Sequence, residues 1–320
     1  MSNYTESEET KHREYLFALN SVEGIGPVRI NNLLRRFGTV ERIFEAELQD
    51  IAHVSRFNPI LATRILTAQK QLDQYRHKII ALEEQGIEIL FKEDSGYPTL
   101  LKSIPDAPIL ICKIGELSEV TDKCVAIVGS SKPTPEAIDL TLNLSIQLVN
   151  ADFTIVSGLA DGIDANAHYG TLSVGGTTIG VIPTDLSYIY PPQNKELAKQ
   201  ICETGCIFSE HPYPTKPTPV YLVMRNRIIT GISMATIVVE TTIDSGAMHT
   251  ARYAERQDRP VFACQWNSQN EHGAGTRQLI AKGAIPFQPD QLNIVVDLLN
   301  HTEKLKSRII GTSAEQIALF

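Results

Sequence analysis

The stretch from Cys124 to Asp164 reads CVAIVGSSKPTPEAIDLTLNLSIQLVNADFTIVSGLADGID. Two apolar runs, 124–128 and 153–156, are each followed at once by small residues, Gly129-Ser130-Ser131 and Ser157-Gly158-Leu159-Ala160-Asp161-Gly162, with a helix-like segment between them. This pattern predicts a βαβ unit with two loops at the carboxyl ends of parallel strands. Backbone N–H groups in such loops, and the helix N-termini behind them, can approach a phosphate or another anion closely. Gly/Ser loops also serve as plain tight turns, so the pattern predicts a site without predicting a reaction.

Working outward, further strands are expected at 177–182, 207–209, 235–240 and 260–264, with helices over 194–203, 220–232 and 246–257. The alternation predicts an α/β fold with a doubly wound, mostly parallel sheet of about six strands. In such sheets ligands bind outside the carboxyl ends of the strands, so the loops 129–132, 157–161, 183–185 and 241–246 are expected to line one crevice. No GxGxxG follows the first strand and no acidic residue ends the second, so no dinucleotide cofactor is expected. Upstream, residues 15–86 read as short amphipathic helices, and a compositional seam at 92–123 separates them from the strands. The expected division is a helical domain over 1–90, the α/β domain over 91–300 and a tail over 301–320. Within the first, Val22 to Leu34 carries a helix-hairpin-helix pattern with Gly24, Gly26 and Arg29, in which a glycine turn either faces a DNA phosphate or only packs.

The 320-residue chain carries a formal net charge of −8, which argues against gathering nucleic acid by bulk attraction but leaves room for a local basic patch. Five cysteines form no CxxC pair and read as free thiols rather than a metal site. The apolar runs are too short for a membrane span and the polar N-terminus is unlike a signal peptide, so a cytoplasmic protein is expected.

The runs VAIVGSSKP, TIVSGLADGIDANAH, IYPPQN, MRNRIITGIS, ATIVVE, SGAMHTARYA and TRQLIAKGA, with YPTLLKSIPDAPILI upstream, resemble the DNA-processing protein A (DprA, also called Smf) family over roughly residues 95 to 286. The resemblance implies an extended Rossmann-like domain, preceded by a small helix-hairpin-helix domain, that binds single-stranded DNA, dimerises and loads the RecA recombinase during natural transformation. It implies a binding protein with no catalytic residues and no cofactor. Carried onto this chain, the phosphate-binding positions are Gly129, Ser130, Ser131, Lys132, Ser157, Gly158, Leu159, Gly162, Asp164, Arg225, Asn226, Arg227, Ser245 and Gly246. The dimer contact falls on Leu279 and Ile280, which suit a helix packed on the sheet equally well.

Two departures stand out. Where the family's first loop has arginine this chain has Ser131, followed by Lys132, so a bidentate phosphate contact gives way to a point charge. Asp161 places a carboxylate where it would repel a phosphate. Both departures open an alternative reading, a nucleotide-sensing module of the same superfamily that holds one small phosphorylated ligand; a nucleoside-monophosphate glycosidase is disfavoured because its Pro-Gly-Gly-x-Gly-Thr loop is absent. No winged-helix domain is expected beyond residue 300. Individual residues carry paired readings. Ser157, Asp164 and His168 suit a hydrolytic triad less well than local capping. Arg225 and Arg227, two apart on a helix, are expected to divide between the crevice and a surface ion pair. Glu240 contacts either a ligand hydroxyl or loop amides, and Trp266 and Tyr190 suit rim packing better than base stacking.

Overall fold

In the computed structural model, residues 6–117, 119–266 and 271–301 are described. Among them nine strands form one sheet: β1 (Glu88–Phe91), β2 (Leu110–Ile114), β3 (Cys124–Val128), β4 (Thr154–Ser157), β5 (Thr178–Ile182), β6 (Cys206–Ser209), β7 (Ala235–Val238), β8 (Val261–Cys264) and β9 (Ile285–Phe287). The spatial order is β1-β2-β6-β5-β4-β3-β7-β8-β9. From β6 to β9 all neighbours are parallel, whereas β1 and β2 pair antiparallel with each other and β2 antiparallel with β6. Strands β3 and β5 to β8 are buried along their whole length, as expected of a parallel sheet covered on both faces.

Six strands stand where the sequence predicts them; the expectation of about six is corrected by β1, β2 and β9. Strand β2 lies inside the supposed seam at 92–123, and the boundary drawn between 90 and 91 falls within β1. The physical reason is a shared core. Phe17, Leu19, Leu33 and Ile65 of the helical region belong to the same apolar cluster as Ile89, Phe91, Ile182 and Ile201. The Ser21 hydroxyl donates to the Tyr213 hydroxyl at 2.8 Å, and the Phe17 and Tyr213 rings lie 5.8 Å apart.

The helices have legible starts. Thr39, Asn58, Thr134 and Thr218 each accept an N–H of the first turn with their side-chain oxygen, and Pro59, Pro135 and Pro219 occupy the first turns behind three of them. Leu279, expected at a dimer interface, is 2 % exposed within the chain itself and packs in the apolar cluster with Val238, Met248 and Ala263; Ile280 is half-buried beside it. Of its two readings Leu279 thus takes the helix packed on the sheet. The tail expected over 301–320 lies outside the described residues from 302 onward. No helix among the described residues is long and apolar enough to cross a membrane.

The β1 edge of the sheet is closed by side chains. The β1–β2 register turns the backbone groups of Ile89 and Phe91 outward. Arg13 Nη2 donates to Ile89 O at 2.9 Å, Phe91 N donates to Asp94 Oδ2 at 2.9 Å, and Asp94 N donates to Phe91 O at 2.9 Å. Arg13 Nη1 completes the plug with contacts to Asp94 Oδ1 and Oδ2 at 3.1 and 2.9 Å. The far edge strand β9 carries Pro286, which has no N–H to offer. Arg13→Ala uncovers the β1 edge. It is expected to lower stability by about 1 kcal/mol in urea unfolding and to give concentration-dependent association in light scattering. An unchanged midpoint with a constant mass would show that the plug does neither.

Candidate nucleic-acid interface

The sheet reverses direction at β3. The chain runs β3, β4, β5 and β6 to one side and then returns to place β7 on the other. The loops that leave β3, β4 and β7 meet above this switch point and enclose a cavity of about 530 Å³.

The loops are knitted together before any ligand arrives. Ser130 N donates to Glu240 O at 2.7 Å, and Ile163 N donates to Ser130 O at 3.0 Å. Glu240 accepts from Thr134 N at 2.8 Å and from the Thr134 hydroxyl at 2.9 Å, so of its two readings it bonds the first loop. Close approach explains the glycines. A Cβ on Gly129 would stand 2.6 Å from Ile163 Cγ1, and Gly162 combines φ +76° with a Cβ position that overlaps Ser130 O. The helices Pro135–Asn150, Ile163–Leu172 and Gly246–Arg256 all begin at this end of the sheet, so their N-terminal dipoles make it favourable to anions.

Arg225 forms part of the cavity floor. It is 7 % exposed, its Nη1 donates to Val181 O at 3.1 Å, and its Nε is buried with no partner. Gly158 makes room for it, because a Cβ there would overlap the guanidinium. Asp164 Oδ2 accepts Gly158 N at 3.1 Å and borders the same cavity. Burial pushes the Asp164 carboxyl up to about 6, against the opposing pull of Arg225 and of the Ala160 and Gly158 amides.

Of the expected site residues, Gly129, Ser130, Ser131, Lys132, Asp164, Arg225, Asn226, Ser245 and Gly246 line the cavity. Lys132 is exposed at its mouth, with no ion-pair partner among the described residues. Ser157, Gly158, Leu159 and Gly162 support it without lining it. The Ser157 hydroxyl donates to Ile127 O at 2.6 Å. Arg227 departs from expectation. Rather than pairing on the surface it is buried, bonded to Glu210 and 3.5 Å from Asp106, with Nη1 unpartnered. The third loop, 183–185, also departs, because the Asp185 carboxylate is turned to Ser187 N at 3.1 Å and Thr215 N at 2.7 Å and stays out of the cavity.

Asp161 is likewise absent from the lining. Its Oδ2 accepts Gln193 Nε2 at 2.7 Å and its Oδ1 accepts Asn194 Nδ2 at 3.4 Å, so the repulsion expected from it is held aside. His168 does not complete a triad. The Thr178 hydroxyl donates to Ile155 O at 2.9 Å and therefore accepts from His168 Nδ1–H at 2.7 Å, leaving Nε2 unpartnered. Burial and the nearby Arg225 push His168 down to about 3, so it is neutral. Trp266 Nε1 donates to Val239 O at 2.8 Å as rim packing, and Tyr190 is half-buried.

In the helix-hairpin-helix segment Gly24 has φ +85°, while Arg29 holds the turn from within, donating to Gly24 O at 2.6 Å and Arg56 O at 3.0 Å. Gly26 caps the helix Pro27–Phe37 and has open space around its Cα. Sequence reading missed Leu222, Val223, Ile229 and His272 in the cavity wall. The helical spacing of Leu222, Asn226 and Ile229 was the signal for one of its walls.

A family model described as DNA recombination-mediator protein A matches residues 88–297, and one for a SAM-like helix-hairpin-helix tandem matches residues 17–70. The chain is 36 % identical to Protein Smf of Synechocystis over 84 % of its length and 69 % of the relative's. It is 34 % identical to DNA processing protein DprA of Bacillus subtilis over 72 % of its length and 82 % of the relative's. The solved structure of DprA from Streptococcus pneumoniae superposes with a TM-score of 0.74 at 30 % identity, covering 89 % of this chain and 96 % of that one. That of DprA from Helicobacter pylori, described with a single-stranded DNA binding mode, superposes with a TM-score of 0.61 at 28 % identity, covering 68 % and 96 %.

The raised Asp164 carboxyl generates a pH test. The folded chain keeps this proton up to about pH 6, whereas an unfolded aspartate loses it near pH 4. The stability this group contributes is thus fully present below about pH 4 and lost as pH rises to about 6. Relative to Asp164→Asn, wild type is expected to lose about 2–3 kcal/mol of unfolding free energy across that window and nothing further above it. Parallel urea curves at all pH values would contradict the assignment.

Proposed function

Since the chain belongs to the DNA recombination-mediator protein A family, we propose that its crevice binds the backbone of single-stranded DNA and that the protein acts as a recombination mediator. The observation that carries this reading is Arg225, a buried guanidinium in the floor of a cavity bordered by the N-termini of the helices Ile163–Leu172 and Gly246–Arg256. A phosphate in the cavity would face the charge of this guanidinium, and Lys132 at the mouth would add a point charge in place of the family's loop arginine. The single-stranded DNA binding mode described for the Helicobacter pylori relative supports the same ligand.

The reading extends to a binding role without catalysis, to RecA recombinase as the partner, to DNA uptake and natural transformation as the setting, to a homodimer as the working unit and to the cytoplasm as its compartment. The nucleotide-sensing alternative drew on Asp161 as a carboxylate facing the crevice, and that carboxylate is engaged by Gln193 and Asn194 instead.

Fluorescence anisotropy with a labelled oligothymidine, beside a duplex of equal length, tests the proposal. Wild type is expected to prefer the single strand, with affinity falling as salt rises. Arg225→Ala should weaken binding at least about tenfold, as loss of a buried charged contact does. Lys132→Ala should weaken it less and reduce the salt slope by about 0.7, one phosphate contact on a single strand. Equal or absent binding of both DNAs by wild type would remove the proposal.

A further inference from the structure

The run Ile189–Asn194, IYPPQN, gives no side chain to the cavity, yet its two amides reach the second loop. Asn194 is buried; its Nδ2 donates to Leu159 O at 2.9 Å and to Asp161 Oδ1 at 3.4 Å, while Gln193 Nε2 donates to Asp161 Oδ2 at 2.7 Å. Leu159 is the residue in need of support. It is buried with φ +57°, a left-handed conformation that disfavours any residue with a Cβ, and its carbonyl is the acceptor Asn194 takes. The amides themselves stand on firm ground, because Asn194 N is bonded to Pro191 O at 3.1 Å and Asn194 opens the helix Lys195–Thr204.

We propose that Gln193 and Asn194 are positioning residues for anion binding. Asn194 fixes the second loop through Leu159 O, and the two amides together hold the Asp161 carboxylate away from the cavity that its neighbour Ala160 lines. This rests on the reading of the crevice as a phosphate site. Its content is electrostatic. Released, Asp161 brings a full negative charge to the mouth of a site built for anions, and at several ångströms in a solvated setting such repulsion is a few-fold effect on affinity.

The test is a cycle of Gln193→Ala, Asp161→Asn and the double variant, read by oligothymidine anisotropy with a thermal melt of each. Gln193 is exposed, so its truncation leaves the core intact. Gln193→Ala is expected to weaken binding about three- to five-fold with its melting temperature unchanged, Asp161→Asn to bind at least as well as wild type, and the double variant to recover wild-type affinity. A purely structural role would leave the double variant as weak as Gln193→Ala. That outcome, or a Gln193→Ala protein that binds like wild type, overturns the inference while the crevice reading stands. A wild type that fails to bind the single strand overturns the crevice reading and this inference with it.

Discussion

A guanidinium buried at the carboxyl end of the sheet is the constraint around which this end of the molecule is arranged. Among the described residues Arg225 has given up water for one hydrogen bond, to Val181 O, and the nearby carboxylate that opposes its charge is Asp164. An arginine so placed remains charged, so its surroundings must carry the desolvation cost. Gly158 has no side chain because the guanidinium fills that space, and Asp164 is fixed in turn by the Gly158 amide. The two loops therefore cannot be varied independently. The first loop leans on the second through Ser130 and Ile163, and on the strand β7 exit through Glu240.

A second buried arginine keeps the first in register. Arg227 lies on the same helix, Pro219–Ile232, and is bonded to Glu210 after β6 and faces Asp106 in the segment before β2. Two acidic partners neutralise it, whereas Arg225 has a weaker counter-charge and lines the cavity. The division of roles that sequence spacing suggested is thus present, with the paired arginine inside the molecule rather than on its surface. The difference matters because a buried pair anchors the helix to two parts of the sheet, which an exposed pair would not.

Six of the parallel strands were legible because each is a short apolar run, with small residues closing β3 and β4, and the first loop and the RNR helix followed from them. What escaped reading depends on long-range choice. Strand β9 holds Pro286 in three residues and reads as a turn. Strand β1 is four residues whose antiparallel partner lies more than a dozen positions away across an irregular segment. The boundary at 90 falls within β1 because alternation marks where strands begin and not which core they enter, and Ile89 and Phe91 enter the core of the helices. Asp161 and Leu279 show the same limit. Residue type announced a charge and an apolar contact, but only the fold determines that Gln193 and Asn194 meet the one and Val238 and Met248 cover the other.

The net charge of −8 bears on how a nucleic acid would be held. Proteins that gather DNA from a distance do so with a broad positive field, and here that field is absent at the scale of the chain. Attraction must then arise within about a Debye length, roughly 10 Å at moderate salt, of the crevice itself. There the positive sources are few: Arg225 in the floor, Lys132 at the mouth and the N-termini of the helices Ile163–Leu172 and Gly246–Arg256. The counterions released on binding are those condensed on the nucleic acid, so with few cations in the crevice few phosphates are neutralised and the salt dependence is shallow. A single strand suits such a site better than a duplex. It can bring one or two phosphates into a cavity of about 530 Å³ while the rest of its charge stays clear of the acidic surface, which a stiff double helix cannot do.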